Sequence, residues 1–142
     1  MKPFWQTKQF QLRWNEPLGE KDCPYAYRWV FIFFGYSIRI HKWIRSDDKR
    51  YPHTHSWWFL TLVLRGAYTD VDSNGKRDIL KRFSIRYRPA THCHYVEVPN
   101  GGCLSILITG KPLHKWGFLV NGRYYRPLRF FDRYGHPPCS EQ

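Results

Sequence analysis

An all-β barrel or sandwich is the fold class that this 142-residue sequence predicts, on three observations. Apolar and polar residues alternate at period two over several short runs. Turn signals such as Asn74-Gly75, Asn100-Gly101 and Asn121-Gly122 separate those runs, and no segment keeps a helical stripe over three turns. The implied number is about eight to ten short strands. The length suits one domain with a real core and is short for two, so residues 1–142 are read as a single domain.

Taken in order, residues 8–14 (KQFQLRW) alternate and read as a short edge strand. Pro17, Gly19 and Pro24 make residues 16–24 a loop. Residues 25–36 are a near-continuous aromatic and β-branched run, a strand by composition, although a short buried helix shares the pattern. Gly35 marks a bend. From residue 37 to 45 the alternation is strict, with Ile38, Ile40 and Ile44 on one face and Arg39, His41, Trp43 and Arg45 on the other. A polar turn follows over 46–52, where Asp47 and Asp48 are expected as caps.

Residues 51–66 (YPHTHSWWFLTLVLRG) hold the first chemical signal. If they are extended, His53 and His55 point the same way, one pleat apart, with Trp57 and Phe59 on the same parity. Neutral imidazole is the commonest metal-ligand side chain, and two on one strand hold a transition metal if further ligands arrive from elsewhere. Residues 67–71 end a strand, and 72–75 (DSNG) form a hairpin turn because Asn-Gly accepts positive φ cheaply. Alternation over 79–88 extends one strand to Pro89. A second histidine pair, His92 and His94, precedes a strand at 94–98. The turn at 99–102 then makes a hairpin with 103–109, and residues 116–120 and 123–131 make a third hairpin about Asn121-Gly122.

Composition bounds the function. With 23 Lys and Arg against 11 Asp and Glu, the formal charge is +12, a field that draws polyanions or small anions. Aromatic residues are 19% of the chain, more ring surface than a small core needs, so some rings are expected to line a pocket or an interface. The four cysteines are scattered without a C-x-x-C, and free thiols in a reducing cytoplasm are the expectation. The residues after Met1 show no apolar signal region, and the longest apolar runs, 29–34 and 57–64, are far below the roughly 20 residues a membrane helix needs. The aromatic run at 29–34 also has more surface than one small barrel covers, so a homodimer is expected.

Motif spacing adds a family resemblance. His53-Thr54-His55 with Gly66 resembles the first motif of the cupins, although Phe59 stands where that motif has glutamate. Pro89 and His94 resemble the second motif, with Thr91 in place of its glycine and Val98 in place of its asparagine. The resemblance implies a double-stranded β-helix, the cupin jelly roll, in which His53, His55 and His94 meet inside the barrel as a three-histidine metal site. Such a site is similar to that of the thiol dioxygenases, which also lack the acidic ligand. The H-x-H-x-W-W-F form resembles small cupins of bacteria and phages.

Three neutral ligands suit Fe(II) with open positions for substrate and O₂, and zinc, manganese or nickel bind the same set. The other reading of His53 and His55 is a pair of exposed strand histidines. His92 is a possible additional ligand if its strand is regular, whereas a turn at Pro89-Ala90 would take it away. Trp57 and Phe59 either close a substrate pocket or are plain core. Arg45 and Arg88 are candidate anchors for a substrate carboxylate or phosphate. His114 and His136 lie in Pro-flanked loops and are expected at the surface.

The expected function is a metal-binding cupin, with Fe(II) dioxygenase chemistry on a small anionic molecule. The alternative starts from residues 123–134 (RYYRPLRFFDRY), where arginines interleave with aromatics as in single-strand nucleic-acid binders. The same pattern on a final barrel strand with snorkelling arginines needs no ligand.

Overall fold

Period-two alternation and cheap turns build an almost entirely β molecule. The structure is a computed structural model and describes residues 5–7, 9–20, 22–137 and 139; Lys8 of the first expected strand lies outside them. The strands are β1 (Trp5–Gln6), β2 (Phe10–Glu20), β3 (Cys23–Phe33), β4 (Tyr36–Trp43), β5 (Phe59–Gly66) and β6 (Tyr68–Asp72). Then come β7 (Arg77–Leu80), β8 (Ile85–Arg88), β9 (His94–Glu97), β10 (Cys103–Thr109), β11 (Phe118–Val120) and β12 (Arg123–Tyr125), before helix α1 (Pro127–Tyr134).

A seven-stranded antiparallel sheet runs β1-β2-β3-β4-β10-β5-β8, a smaller sheet runs β7-β6-β9, and β11 pairs with β12. This is a double-stranded β-helix, the cupin jelly roll. Val63, Cys103, Tyr68, Leu80 and Val96 form one buried cluster drawn from both larger sheets. Full burial of each such apolar side chain contributes about 1.5–3 kcal/mol. A second cluster of Phe118, Val120 and Phe130 seats the helix on the β11–β12 hairpin.

Strand β4 keeps the strict alternation of its sequence. Arg39, His41 and Trp43 face the interior cavity, while Ile38 and Ile40 lie on the outer face and are exposed. Phe31 and Ile108 on neighbouring strands are exposed as well, so the large sheet presents an apolar outer surface.

Several local expectations are corrected. Residues 16–20 are strand, not loop, and β2 is not an edge because β1 pairs with it. Its register shifts between Arg13 and Glu16 and between Leu18 and Gly19, and Asn15 takes φ 47, so bulges absorb the turn-forming residues without ending the strand. The expected strand 79–88 breaks at Phe83, whose φ is 68, where Ser84 and Lys81 close a turn. Strands β9 and β10 do not form a hairpin: β9 pairs with β6, and β10 crosses to lie between β4 and β5.

The last expected strand ends at Tyr125, and the chain turns into α1 with proline in its first turn, a position where the missing N–H costs nothing. Cys23 and Cys139 form a disulfide with Cα atoms 5.9 Å apart, which corrects the free-thiol expectation for that pair; Cys93 and Cys103 are free. Among the described residues no helix is long and apolar enough to cross a membrane.

Gly66 closes β5 at φ +74, and a Cβ there would lie 2.3 Å from the Gly102 carbonyl oxygen. Both the backbone conformation and the contact with rigid backbone forbid a side chain. Gly66→Ala is expected to lower stability by roughly 2–4 kcal/mol. Thermal denaturation checks this; an unchanged Tm would mean that the β5–β10 junction is not as tight as described.

Candidate metal centre

Three histidines from two distant stretches come together inside the barrel. Residues 51–58 are not a regular strand; β5 begins only at Phe59. His53 is fixed instead by a reciprocal backbone pair, its N–H donating to the His94 carbonyl at 2.8 Å and the His94 N–H donating back at 2.9 Å. Leu119 N–H donates to Pro52 O, and Thr54 N–H donates to Gly117 O, which ties this stretch to the β11 side as well. The ring centroids of His53, His55 and His94 then form a nearly equilateral triangle: 5.1 Å, 5.1 Å and 5.2 Å. Each offers a nitrogen, and these atoms lie within 4.8 Å of one another.

The arrangement fits a metal ion. His55 Nε2 and His94 Nε2 are 3.0 Å apart. Two nitrogens each about 2.1 Å from one ion and roughly at right angles would have about that separation. Asp70, buried on β6, accepts from His94 Nδ1 at 2.7 Å, which puts the His94 proton on Nδ1 and leaves Nε2 its lone pair. A carboxylate behind a ligand histidine in this way fixes its tautomer and raises its basicity. Burial raises the Asp70 pKa, but hydrogen bonds from His92 and His94 outweigh it, and the carboxyl is held well below its usual range.

His92 lies with Asp70 and not in the triangle: its Nε2 is 2.9 Å and 3.1 Å from the two Asp70 oxygens. Arg88 also turns to acids, Asp70 at 3.3 Å and Asp78 at 2.6 Å, and is no part of the cavity wall. Arg45 is likewise outside that wall, because it donates to the Pro24 and Cys139 carbonyls and pins the C-terminal segment. Trp57 and Phe59 line the cavity. Trp57 stacks on His55 at 4.8 Å, and Phe59 meets the His55 ring edge-on at 4.9 Å. His114 and His136 are exposed, although His136 stacks on Phe131 at the cavity rim.

Two acids escaped the sequence reading of the site. Asp48 does make the expected turn, bonding Arg50 by backbone and side chain. Asp47, expected as its companion cap, is instead buried in the cavity wall; it accepts from Val96 N–H, with Oδ2 3.9 Å from His53 Nε2. Asp70 carried only one signal, its place on the inward parity of a β-strand, where an unpaired acid is costly. The cavity measures ≈ 470 Å³, within the range of small-molecule sites.

Burial pushes the His53 and His41 rings down to about 3 and pushes His55 and His94 down as well. Below about 6.5 the unfolded chain takes up protons that these folded rings refuse, so stability falls as pH drops from there towards 3. A ring contributes a loss of up to about 1.4 kcal/mol per pH unit, and only between its unfolded and folded values. Asp47, raised by burial, works against this, but it is one group against four. Metal-stripped protein is therefore expected to unfold on mild acidification, with most of the loss between about pH 6 and 4. Flat stability across that window, by denaturant titration, would show that the rings charge freely in the fold.

No family model matches the chain, and no curated protein does. Solved structures of similar fold include Fe(II)-containing HppE, with TM-score 0.57 and 9% identity over 75% of this chain and 59% of that one. A chain in a structure of the DMSP lyases RdDddP and RnDddQII matches with TM-score 0.56 and 17% identity over 72% of this chain and 59% of that one. A Salmonella typhimurium LT2 protein assigned as ethanolamine utilization protein Q matches with TM-score 0.53 and 13% identity, over 68% and 76%. At such identities the likeness is one of fold. The chain covers less than two thirds of the length of the first two proteins.

Proposed function

We propose that this protein is a metal-binding cupin that holds a divalent first-row transition metal through His53, His55 and His94. Its reaction class is non-haem Fe(II) dioxygenation of a small anionic molecule. The observation that carries the reading is the equilateral histidine triangle with Asp70 locking one ring from behind. Held by these three nitrogens, an iron ion would keep open positions for substrate and O₂. Phe59, in place of an acidic ligand, leaves the donor set neutral, as in the thiol dioxygenases. It also packs on His55 and His94 and keeps water from that side. Zinc, manganese or nickel would occupy the same nitrogens. The HppE match adds support, since that protein's structure contains Fe(II).

Elemental analysis of protein purified without a polyhistidine tag tests the reading. Stoichiometric metal is expected, with oxygen uptake on addition of substrate to the iron form. Metal-free protein that takes up none of the four metals would overturn it.

The same proposal includes a cytoplasmic setting, which the Cys23–Cys139 disulfide weighs against and cell fractionation checks, and a homodimer through the apolar outer face of the large sheet. Light scattering that reports only monomer at high micromolar concentration would remove the dimer. Binding of nucleic acid by the basic surface remains the second reading. The centre of its aromatic run, however, is committed to packing: Phe130 is fully buried and stacks on Phe118 at 3.9 Å, whereas Tyr124 is exposed. Steeply salt-dependent binding of single strands would favour that reading.

A further inference from the structure

Most of the barrel's half-buried arginines are matched to acids. Arg28 meets Glu16 at 2.7 Å, and Arg88 meets Asp70 and Asp78. Arg39 is not matched. Among the described residues its guanidinium makes one hydrogen bond, from Nε to Ser37 Oγ at 2.8 Å, and no carboxylate lies within ion-pair distance. It stands on the inner face of β4 and lines the cavity, with Cζ 4.4 Å from the centre of the Trp57 ring. Burial, then the charges of Arg28 and Arg13, push its pKa down to about 9, only partly offset by Glu16, so it is charged at neutral pH with no acid paired to it.

Its neighbours on the wall have the same deficit. His41, two residues on along the same face, is buried with neither ring nitrogen bonded. Ser105, directly across from His41 in the β4–β10 register, is fully buried with an unbonded hydroxyl. All three residues line one cavity with Trp43, Trp57 and Leu107. An unpaired, half-buried cation beside buried, unbonded polar groups is costly in the free protein, and a ligand that brings acceptors removes that cost. Buried polar groups in proteins are otherwise bonded as a rule.

We propose that Arg39, His41 and Ser105 form an anion subsite that takes the acidic head, carboxylate or phosphonate, of a small organic acid whose apolar body lies along Trp43 and Trp57. The guanidinium Nη atoms form a planar fork suited to either head. The subsite names the substrate class for the metal reading and rests on it only for what happens after binding. Arg45 and Arg88, the anchors expected from sequence, are engaged elsewhere.

Binding is tested on metal-stripped protein by calorimetry, with benzoate, phenylphosphonate and the neutral isostere benzamide as probes. Wild type is expected to bind at least one of the two acids about 10- to 100-fold more tightly than benzamide, and the stronger acid identifies the head. Arg39→Gln is expected to erase the preference, Arg39→Lys to retain part of it, and Arg86→Gln, outside the cavity, to leave it intact. Arg39→Met is expected to raise the Tm of the ligand-free protein while losing the preference, because it removes a half-buried charge that no acid pairs with. Equal binding of acids and benzamide by wild type, or a preference that survives Arg39→Gln, overturns the subsite. A lowered Tm for Arg39→Met with the preference intact would also overturn it and make Arg39 a packing residue. His53→Ala should lose metal and keep the preference, so failure of the metal centre and failure of the anion subsite are read separately.

Discussion

Single replacement of His53, His55 or His94 by alanine is expected to strip most of the bound metal, each to a similar degree. Two neutral nitrogens do not hold a first-row divalent ion against water and buffer, so affinity should fall by at least about 100-fold. The triangle is the reason the losses should match: its sides of 5.1 Å, 5.1 Å and 5.2 Å single out none of the three rings. His114→Ala and His136→Ala change exposed imidazoles outside the triangle and should keep the metal. His92→Ala should fall between, because His92 touches the site from behind, through its bond to Asp70 and its edge contact with the His94 ring at 4.8 Å. Elemental analysis and competitive titration with a metal indicator give the comparison. If His53→Ala and His55→Ala bind metal as well as wild type, the centre is not where the triangle puts it.

The second large effect belongs to Asp70. It is 3% exposed at the side chain and accepts from His94, His92 and Arg88 at once. Asp70→Asn keeps the shape, removes the charge, and sets an N–H₂ against donors. Stability is expected to drop by about 2–4 kcal/mol, because the buried His94 and His92 donors lose a charged acceptor, while Arg88 keeps Asp78. Metal affinity should fall about 10- to 100-fold as His94 loses its tautomer lock. Denaturant melts of the metal-free protein and metal titrations of the folded protein separate the two effects. A stability loss without any change in metal affinity would confine Asp70 to a structural role.

Much of the β architecture was legible because it depends on local facts. Alternation over residues 37–45 put Arg39, His41 and Trp43 on one face, and β4 keeps them there. Asn74-Gly75 and Asn121-Gly122 mark real hairpin turns between β6 and β7 and between β11 and β12. The helix at Pro127–Tyr134 and the bulged second half of β2 were missed for an opposite reason. Tertiary packing there overrides weak local preference: Phe130 finds Phe118, and Glu16 finds Arg28.

What the sequence determined by itself was the set of chemical groups: an H-x-H pair, a later histidine, and a surplus of arginines and rings. Proximity was visible only through the cupin resemblance, not from spacing. Which partner each group takes was decided by tertiary structure alone. Asp70 reaches His94 across 24 residues, and Arg88 turns to Asp70 and Asp78, while Arg39 remains without an acid. The reason is physical. Strand periodicity is a property of neighbouring residues, whereas the pairing of buried charges depends on which strands the sheet crossings bring side by side, and in this barrel the chain from β9 to β10 crosses between sheets instead of turning back as a hairpin.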